Sequence, residues 1–452
     1  MNIIVVGLGK VGEKIVELLV REEEHNITAV DVDGGVLRDV VNTYDVMGVT
    51  GSGASIEVLN EAGIEHADIL IAATGSDEIN LLTCFIARKV SGCKTIARVR
   101  NPEYGKELQL FKEDLGLAMI INPEFTAAVE IARTLRFPSA IQIDTFSKGR
   151  VELLKVRIQE GSPLDEIKIV DISHRLNCDV LVCGVERGDE VFIPGGDFVL
   201  KAGDLISIIS TIKDAGFFFK KIGLKTNRVK DTIIVGGGKT SVYLANNLLK
   251  LGIDVKIIEQ NPQRCEELCA LLPKATIING DGTENALLLE EGIENAESFV
   301  ALTGIDEENV MLSLFAKTKT EGKIVTKINR IAYDDVIRHL GLDTIIYPKT
   351  LAAEYIVRFV RARNNSMGSN IETLHYVLDG KAEALEFRIG DVSPLADKTI
   401  ESLSLKDGII IACINRGGKI IIPRGKDVIM PRDTVIVVTT NRGFEDISDI
   451  LR

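Results

Sequence analysis

The feature that most constrains this chain is that it is written twice. At an offset of about 229 residues, Gly7 and Gly9 fall on Gly236 and Gly238. TGSDEIN from Thr74 to Asn80 falls on TGIDEEN from Thr303 to Asn309. FIPGGDFVLKAGDLISIIS answers IIPRGKDVIMPRDTVIVVT, which sets Pro194 over Pro423 and Asp204 over Asp433. Collinear matches of this length do not arise from composition. The fold must therefore be one unit built twice.

Each unit divides again by its pattern. Residues 1 to 123 alternate apolar runs (IIVVG, ITAVD, DVMGVTG, ADILIAAT, TIARVR, AMIIN) with helical stretches such as Lys10 to Arg21 and Glu78 to Val90. Strand and helix in alternation predict βαβ units and a parallel sheet. A linking helix is expected from Thr126 to about residue 138. Residues 140–224 change to short strands with Gly and Pro turns: VELLKVRIQ, CDVLVCGVER, EVFIPG and DLISIIS. Ser162-Pro163 and Ser393-Pro394 read as turn starts. A polar linker, Lys225 to Lys230, leads into the second unit. That unit repeats the plan over 231–350, with a linking helix to about 364, and then over 370–452. The predicted class is α/β: two Rossmann-like, doubly wound parallel-sheet domains, each followed by a smaller α+β domain.

Composition narrows the function. The net charge of −13 argues against nucleic acid and against an anionic bilayer surface. No apolar run approaches the ~18 residues that span a bilayer. MNIIVVGLGKVG enters a strand without a signal-peptide pattern. A cytosolic protein is expected. The seven cysteines are scattered without a CxxC. Cys265 and Cys269 stand one helical turn apart but find no partner pair, so buried, reduced thiols are expected rather than a zinc site.

GLGKVG places Gly7, Gly9 and Gly12 in GxGxxG spacing between a strand and a helix. The first glycine permits the tight turn, the second lets a pyrophosphate approach, and the third lets helix and strand pack. The pyrophosphate then meets free N–H groups at a helix N-terminus. Asp31 ends the second strand, 24 residues after Gly7. A carboxylate there accepts the ribose hydroxyls and repels a 2′-phosphate, which favours NAD over NADP. Asp33 reads as a turn or cap residue. Gly51-Ser52, Thr74-Gly75 and Arg98 fall where the carboxyl ends of parallel strands gather. Asp77 reads as an N-cap. Arg98 and Arg100 share one face by the period of two, and Arg98 has an ion pair with Asp77 or Glu78 as its alternative role.

VVGLGKVG, AVDVD, TGSGAS, IAATGSDEIN and IARVRNPEY together resemble the KTN/RCK N-domain. The smaller domains resemble the TrkA C-terminal (RCK-C) domain. Two copies of each, over essentially the whole chain, resemble the TrkA family. The resemblance implies a non-enzymatic regulatory subunit, cytoplasmic and peripheral on the inner face of the cell membrane. Its implied partner is a membrane-embedded Trk-type potassium channel subunit. Its implied ligands are NAD(H) and ATP or ADP, and a homodimer would present four N-domains. Carried over residue by residue, the first site is Gly7, Leu8, Gly9, Lys10, Val11, Asp31, Gly51, Ser52, Thr74, Gly75 and Arg98.

The second half departs from that pattern. Its turn is Gly236-Gly237-Gly238-Lys239-Thr240, and Ser241 replaces the third glycine. It is not a phosphate-binding P-loop, because Ile233 stands five residues before Gly238 where that motif needs glycine. The strand-end acid is Glu259. Gly280-Asp281 follow the third strand, and Lys327 replaces Arg98. A less positive second site is expected, occupied more weakly or by a different nucleotide, with an empty structural copy as the alternative. The rival reading is an NAD-dependent oxidoreductase. That chemistry needs a proton-handling group near the nicotinamide. None of His25, His66, His174, His339 and His375 has a counterpart in the other repeat.

Overall fold

The computed structural model describes residues 1–22, 25–101, 115–136, 142–146, 150–224, 229–330, 336–337, 340–342, 344–365, 371–378, 380–444 and 446–452. Residues 225–228 of the linker, residues 102–104 of the NPEY motif and His339 lie outside that set.

In the first half, β1 (Asn2–Val6), β2 (Asn26–Asp31), β3 (Met47–Thr50), β4 (Ile69–Ala72), β5 (Lys94–Arg98) and β6 (Leu117–Ile121) form one sheet in the order β3-β2-β1-β4-β5-β6. All five pairings are parallel. β1 and β4 read as continuous apolar runs because helices cover both faces of a parallel sheet. Ile3 and Val5 enter one core, and Ile4 and Val6 enter the other. The order reverses between β1 and β4, so a crevice opens at the carboxyl ends of those strands. The second half repeats the order with strands Thr276–Asn279, Asp254–Glu259, Asp231–Val235, Ser298–Ala301, Lys323–Lys327 and Ile345–Ile346.

The linking helices cross between the halves. Helix Pro348–Asn365 follows the second sheet. Its Ala352, Ala353, Ile356, Val357 and Val360 complete the first sheet's core beside Ile3, Val5, Ile15 and Leu19. Arg361 on that helix pairs with Glu22 of the first half. In the other direction, the Asn122 amide donates to the Tyr243 hydroxyl at 3.2 Å. The Phe125 ring meets Tyr243 edge-on at 5.4 Å. The two Rossmann-like halves thus form one compact unit of Met1–Ile131, Asp231–Thr320 and Ile324–Arg361. A pass along the chain gives large, small, large, small. In the structure like packs with like: helix Pro348–Asn365 buries its apolar stripe on the first repeat, and Phe125 of helix Pro123–Arg136 meets Tyr243 of the second.

The second unit comprises Ala132–Lys230, Glu321–Lys323 and Ala362–Arg452. It holds two five-stranded sheets, antiparallel throughout. Strands Gln142–Phe146 and Ile371–Val377 open these sheets and were not legible as strands in the sequence. Alternation sorts the side chains. Leu154, Val156, Ile206 and Ile208 face the first domain's own core. Val151, Leu153 and Ile209 join Val377, Ala384, Ile436 and Val438 of the second domain in a shared core. Each domain carries the same lock. Arg187 grips Asp204 with Nε at 2.8 Å and Nη2 at 2.7 Å. Arg416 grips Asp433 with Nε at 2.9 Å and Nη2 at 2.8 Å. The Ser162 and Ser393 hydroxyls accept from the Leu164 and Leu395 N–H groups, as turn starts do.

Six cysteines are buried and Cys269 is exposed. Burial pushes the Cys178 thiol up to about 11, and those of Cys183 and Cys413 to about 12. Thiols so raised stay protonated and inert at neutral pH.

Candidate functional site

The turn after β1 is built as its glycines require. Gly7 adopts φ +88°, and a Cβ there would lie 2.6 Å from the Thr74 nitrogen. A Cβ on Gly12 would fall 1.8 Å from the Gly7 carbonyl oxygen. Gly9 is different. Its φ of −61° suits any residue, it caps helix Lys10–Val20 without a side chain, and a Cβ there would enter open space. The first-turn N–H groups therefore face room for a ligand, which is the geometry a pyrophosphate needs.

Asp31 meets this turn. The Leu8 N–H donates to Oδ2 at 2.5 Å, and the Asp33 N–H donates to Oδ1 at 2.9 Å. The carboxylate is thereby oriented, and each oxygen retains acceptor capacity for a ribose hydroxyl. Asp33 caps helix Gly34–Tyr44 through the Gly35 and Val36 N–H groups. The Gly51 N–H bonds the Asp31 carbonyl at 2.8 Å, which brings Gly51 and Ser52 beside the acid. Thr74 gives its N–H and hydroxyl to the buried Asn80 at 2.8 and 2.7 Å. The Asn80 amide then donates to the Arg98 carbonyl at 2.9 Å, so one side chain ties the ends of β4 and β5. Asn309 repeats this with Thr303 and Lys327. The sequence carried the signal, an asparagine at the same place in both TG-DE-N runs, but not its role.

One expectation is corrected here. Ser76, not Asp77, caps helix Asp77–Ser91. Asp77 instead accepts from the Arg100 and Asn101 N–H groups at 2.8 and 2.9 Å. It pairs with the Arg100 guanidinium, which also donates to the Gly75 carbonyl. Arg98 and Arg100 each bury Nε without a hydrogen bond, and burial and the neighbouring Arg100 lower the pKa of Arg98.

The second crevice is a variation on the first. The Gly237 N–H donates to Glu259 Oε2 at 2.7 Å, and the Asn261 N–H donates to Oε1 at 2.8 Å. The longer acid thus reaches the same positions as Asp31. Ser241, where a third glycine would stand, donates its hydroxyl to the Gly236 carbonyl at 2.5 Å. Gly238 caps helix Lys239–Lys250 bare, with open space at its Cβ position. Gly280 bonds the Glu259 carbonyl at 3.0 Å. The Asp281 carboxylate accepts the Thr283 N–H and hydroxyl, which lower its pKa. Lys327 Nζ rests on the Leu302 carbonyl at 3.0 Å.

The second turn is not poor in cations. A cavity of about 220 Å³ opens beside Gly238 and Thr240, lined by Lys239, Lys327 and Lys349 and by Arg98 and Glu124 of the first half. Four cations face one carboxylate. The sequence could not show this, because Arg98 reaches the second turn only once the two halves pack together. Burial and the neighbouring Lys10, Arg98 and Arg330 push Lys349 down to about 8, against the opposing pull of Asp306. Burial also lowers Lys327.

Comparison with known proteins bears on this architecture directly. The TrkA-N domain matches residues 3–123 and 232–348, and the TrkA-C domain matches 153–223 and 384–452. The chain belongs to the TrkA family. The Trk system potassium uptake protein TrkA of Halomonas elongata is 33% identical, over 100% of this chain and 99% of that one. The TrkA homolog of Archaeoglobus fulgidus is 32% identical over 100% of both chains. Among solved structures, a GsuK channel bound to NAD shares the fold with a TM-score of 0.62 at 18% identity, covering 97% of this chain and 77% of that one. Among the described residues, no helix is long and apolar enough to cross a membrane. No His, Cys, Asp and Glu cluster there suits a metal. His66 ends a short 3-10 helix, and His375 packs on the Phe146 ring at 4.5 Å.

Proposed function

We propose that this TrkA-family chain is a nucleotide-binding regulatory subunit of a Trk-type potassium uptake system. NAD(H) and ATP or ADP bind its Rossmann-like crevices and control ion flux through a membrane-embedded partner. The observation that carries the reading is the pairing, in each half, of a bare helix N-terminus at Gly9 or Gly238 with an oriented strand-end acid, Asp31 or Glu259. That pair fits the pyrophosphate and ribose of one ligand. A homodimer presenting four such halves, at the inner face of the membrane, completes the reading.

The exchanged helices supply the coupling. A ligand on the second turn meets Arg98 and Glu124 from the first half, so its binding free energy depends on how the halves are set. A ligand shifts a conformational equilibrium only by its differential affinity for the two states. The chemistry needed is binding, orientation and charge neutralisation, and no proton-handling group enters it.

The cavity predicts a pH dependence. An anionic ligand favours charged Lys349, so its affinity is full below the ligand-free pKa of about 8 and falls as pH rises through it. ADP binding should weaken about tenfold from pH 7 to pH 9, the loss of roughly one charge contact. Lys349→Gln should bind more weakly at pH 7 and show a flatter profile, as measured by calorimetry across pH. A native profile flat over that range would remove Lys349 from the ligand's surroundings.

A further inference from the structure

The two crevices differ at the third residue of the helix that follows the strand-end acid. In the first half this is Val36, 37% exposed. In the second it is Arg264, whose Nε donates to the Gly237 carbonyl at 2.8 Å and whose Nη1 pairs with Glu267 at 2.5 Å. Gly237 is the residue whose N–H orients Glu259. The guanidinium is thus pinned on both sides, next to the acid that would hold a ribose. A ribose on Glu259 with its phosphates on the Gly238 helix end points its base away from the phosphates. Glu259 accepts from Gly237 on one oxygen and from Asn261 on the other, so such a base would be set toward the segment from Asn261 to Arg264. An arginine plane held there is a stacking plate for a purine. Glu259 beside it disfavours a 2′-phosphate, so the plate serves the base.

We propose that Arg264 is a specificity-determining residue that makes the second crevice an adenine mononucleotide site. It stacks on the base, while the cationic cavity around Lys239, Lys327 and Lys349 takes the phosphates. The first crevice offers Val36 and stays with the dinucleotide. This inference rests on the proposed nucleotide-binding function.

The test uses the full chain carrying Asp31→Ala, so that the second crevice reports alone, with ADP as the calorimetric probe. Adding Arg264→Ala should weaken ADP about tenfold, the typical worth of a desolvated cation–π stack. The melting temperature of the ligand-free chain should change little, because the Glu267 partner is 61% exposed and such surface pairs contribute little. Arg264→Lys keeps the charge but not the plane and should recover little of the affinity. Conversely, Val36→Arg in a Glu259→Ala chain should strengthen ADP at the first crevice. Unchanged ADP affinity in Arg264→Ala, or full recovery in Arg264→Lys, would overturn the stacking role and leave the site itself standing. An Asp31→Ala parent that binds no ADP at all would overturn the second site, and this inference with it.

Discussion

Gly9→Ala should abolish useful NADH binding at the first crevice while leaving the protein as stable as before. The added methyl enters open space in the ligand-free chain and the φ of −61° accepts it. It would stand where the pyrophosphate must touch backbone N–H groups. Losing two such charge-assisted contacts costs roughly 3 kcal/mol, or about a hundredfold in affinity. Three residues on, the same substitution does the opposite. Gly12→Ala puts a Cβ 1.8 Å from the Gly7 carbonyl, so helix and strand must separate. The second half accommodates a Cβ at this place, where the Ser241 hydroxyl bonds the Gly236 carbonyl; the first half is closed to one. Gly12→Ala should lower the melting temperature, and Gly12→Ser, which carries the same Cβ, should lower it too. Thermal melting beside NADH titration separates the two effects. Equal loss of stability in Gly9→Ala and Gly12→Ala would contradict this division of roles.

The second large effect is expected in the small domains. Asp204 is 2% exposed, accepts both arms of Arg187, and also takes the Lys201 N–H at 2.8 Å. Asp433 repeats every contact with Arg416 and Met430. Removing one partner of such a pair strands the other and costs roughly 3–5 kcal/mol. Arg187→Ala strands the buried Asp204 carboxylate and should therefore melt the domain well below the native temperature. Asp204→Ala should do less, because the arginine it strands is 34% exposed and can turn to water. Chemical denaturation followed by circular dichroism reads the difference. A shift under about 1 kcal/mol, the range of exposed pairs, would show that the lock is ornamental.

These two features were unequally legible in the sequence. The glycine turn, the strand-end acids and the duplication follow local rules: φ requirements, βα spacing and collinear repeats. Asp204 over Asp433 was visible as a match, but its arginine partner was not. A contact between strands 17 residues apart leaves no periodic trace. The helix exchange was hidden for the same reason. The stripe Ala352-Ala353-Ile356-Val357-Val360 predicts a buried helix but not which repeat buries it. Arg98 shows the consequence. Read along the chain it belongs to the first crevice. In the folded unit it also lines the cavity of the second, so charge counted half by half missed it. Asp77 misled for a smaller reason: Ser76 and Asp77 both make good caps, and Asp77 is drawn instead to the backbone of Arg100 and Asn101.

Ligand held between the glycine turns and the strand-end acids is expected to set the ion flux of a Trk-type partner. The most direct measurement is potassium flux into vesicles holding that partner and this chain. NADH and ADP are titrated against the native chain and against one carrying both Asp31→Ala and Glu259→Ala. Nucleotide should change flux with the native chain, and the doubly substituted chain should still bind the partner but no longer respond. A response of full size in the doubly substituted chain would contradict that expectation.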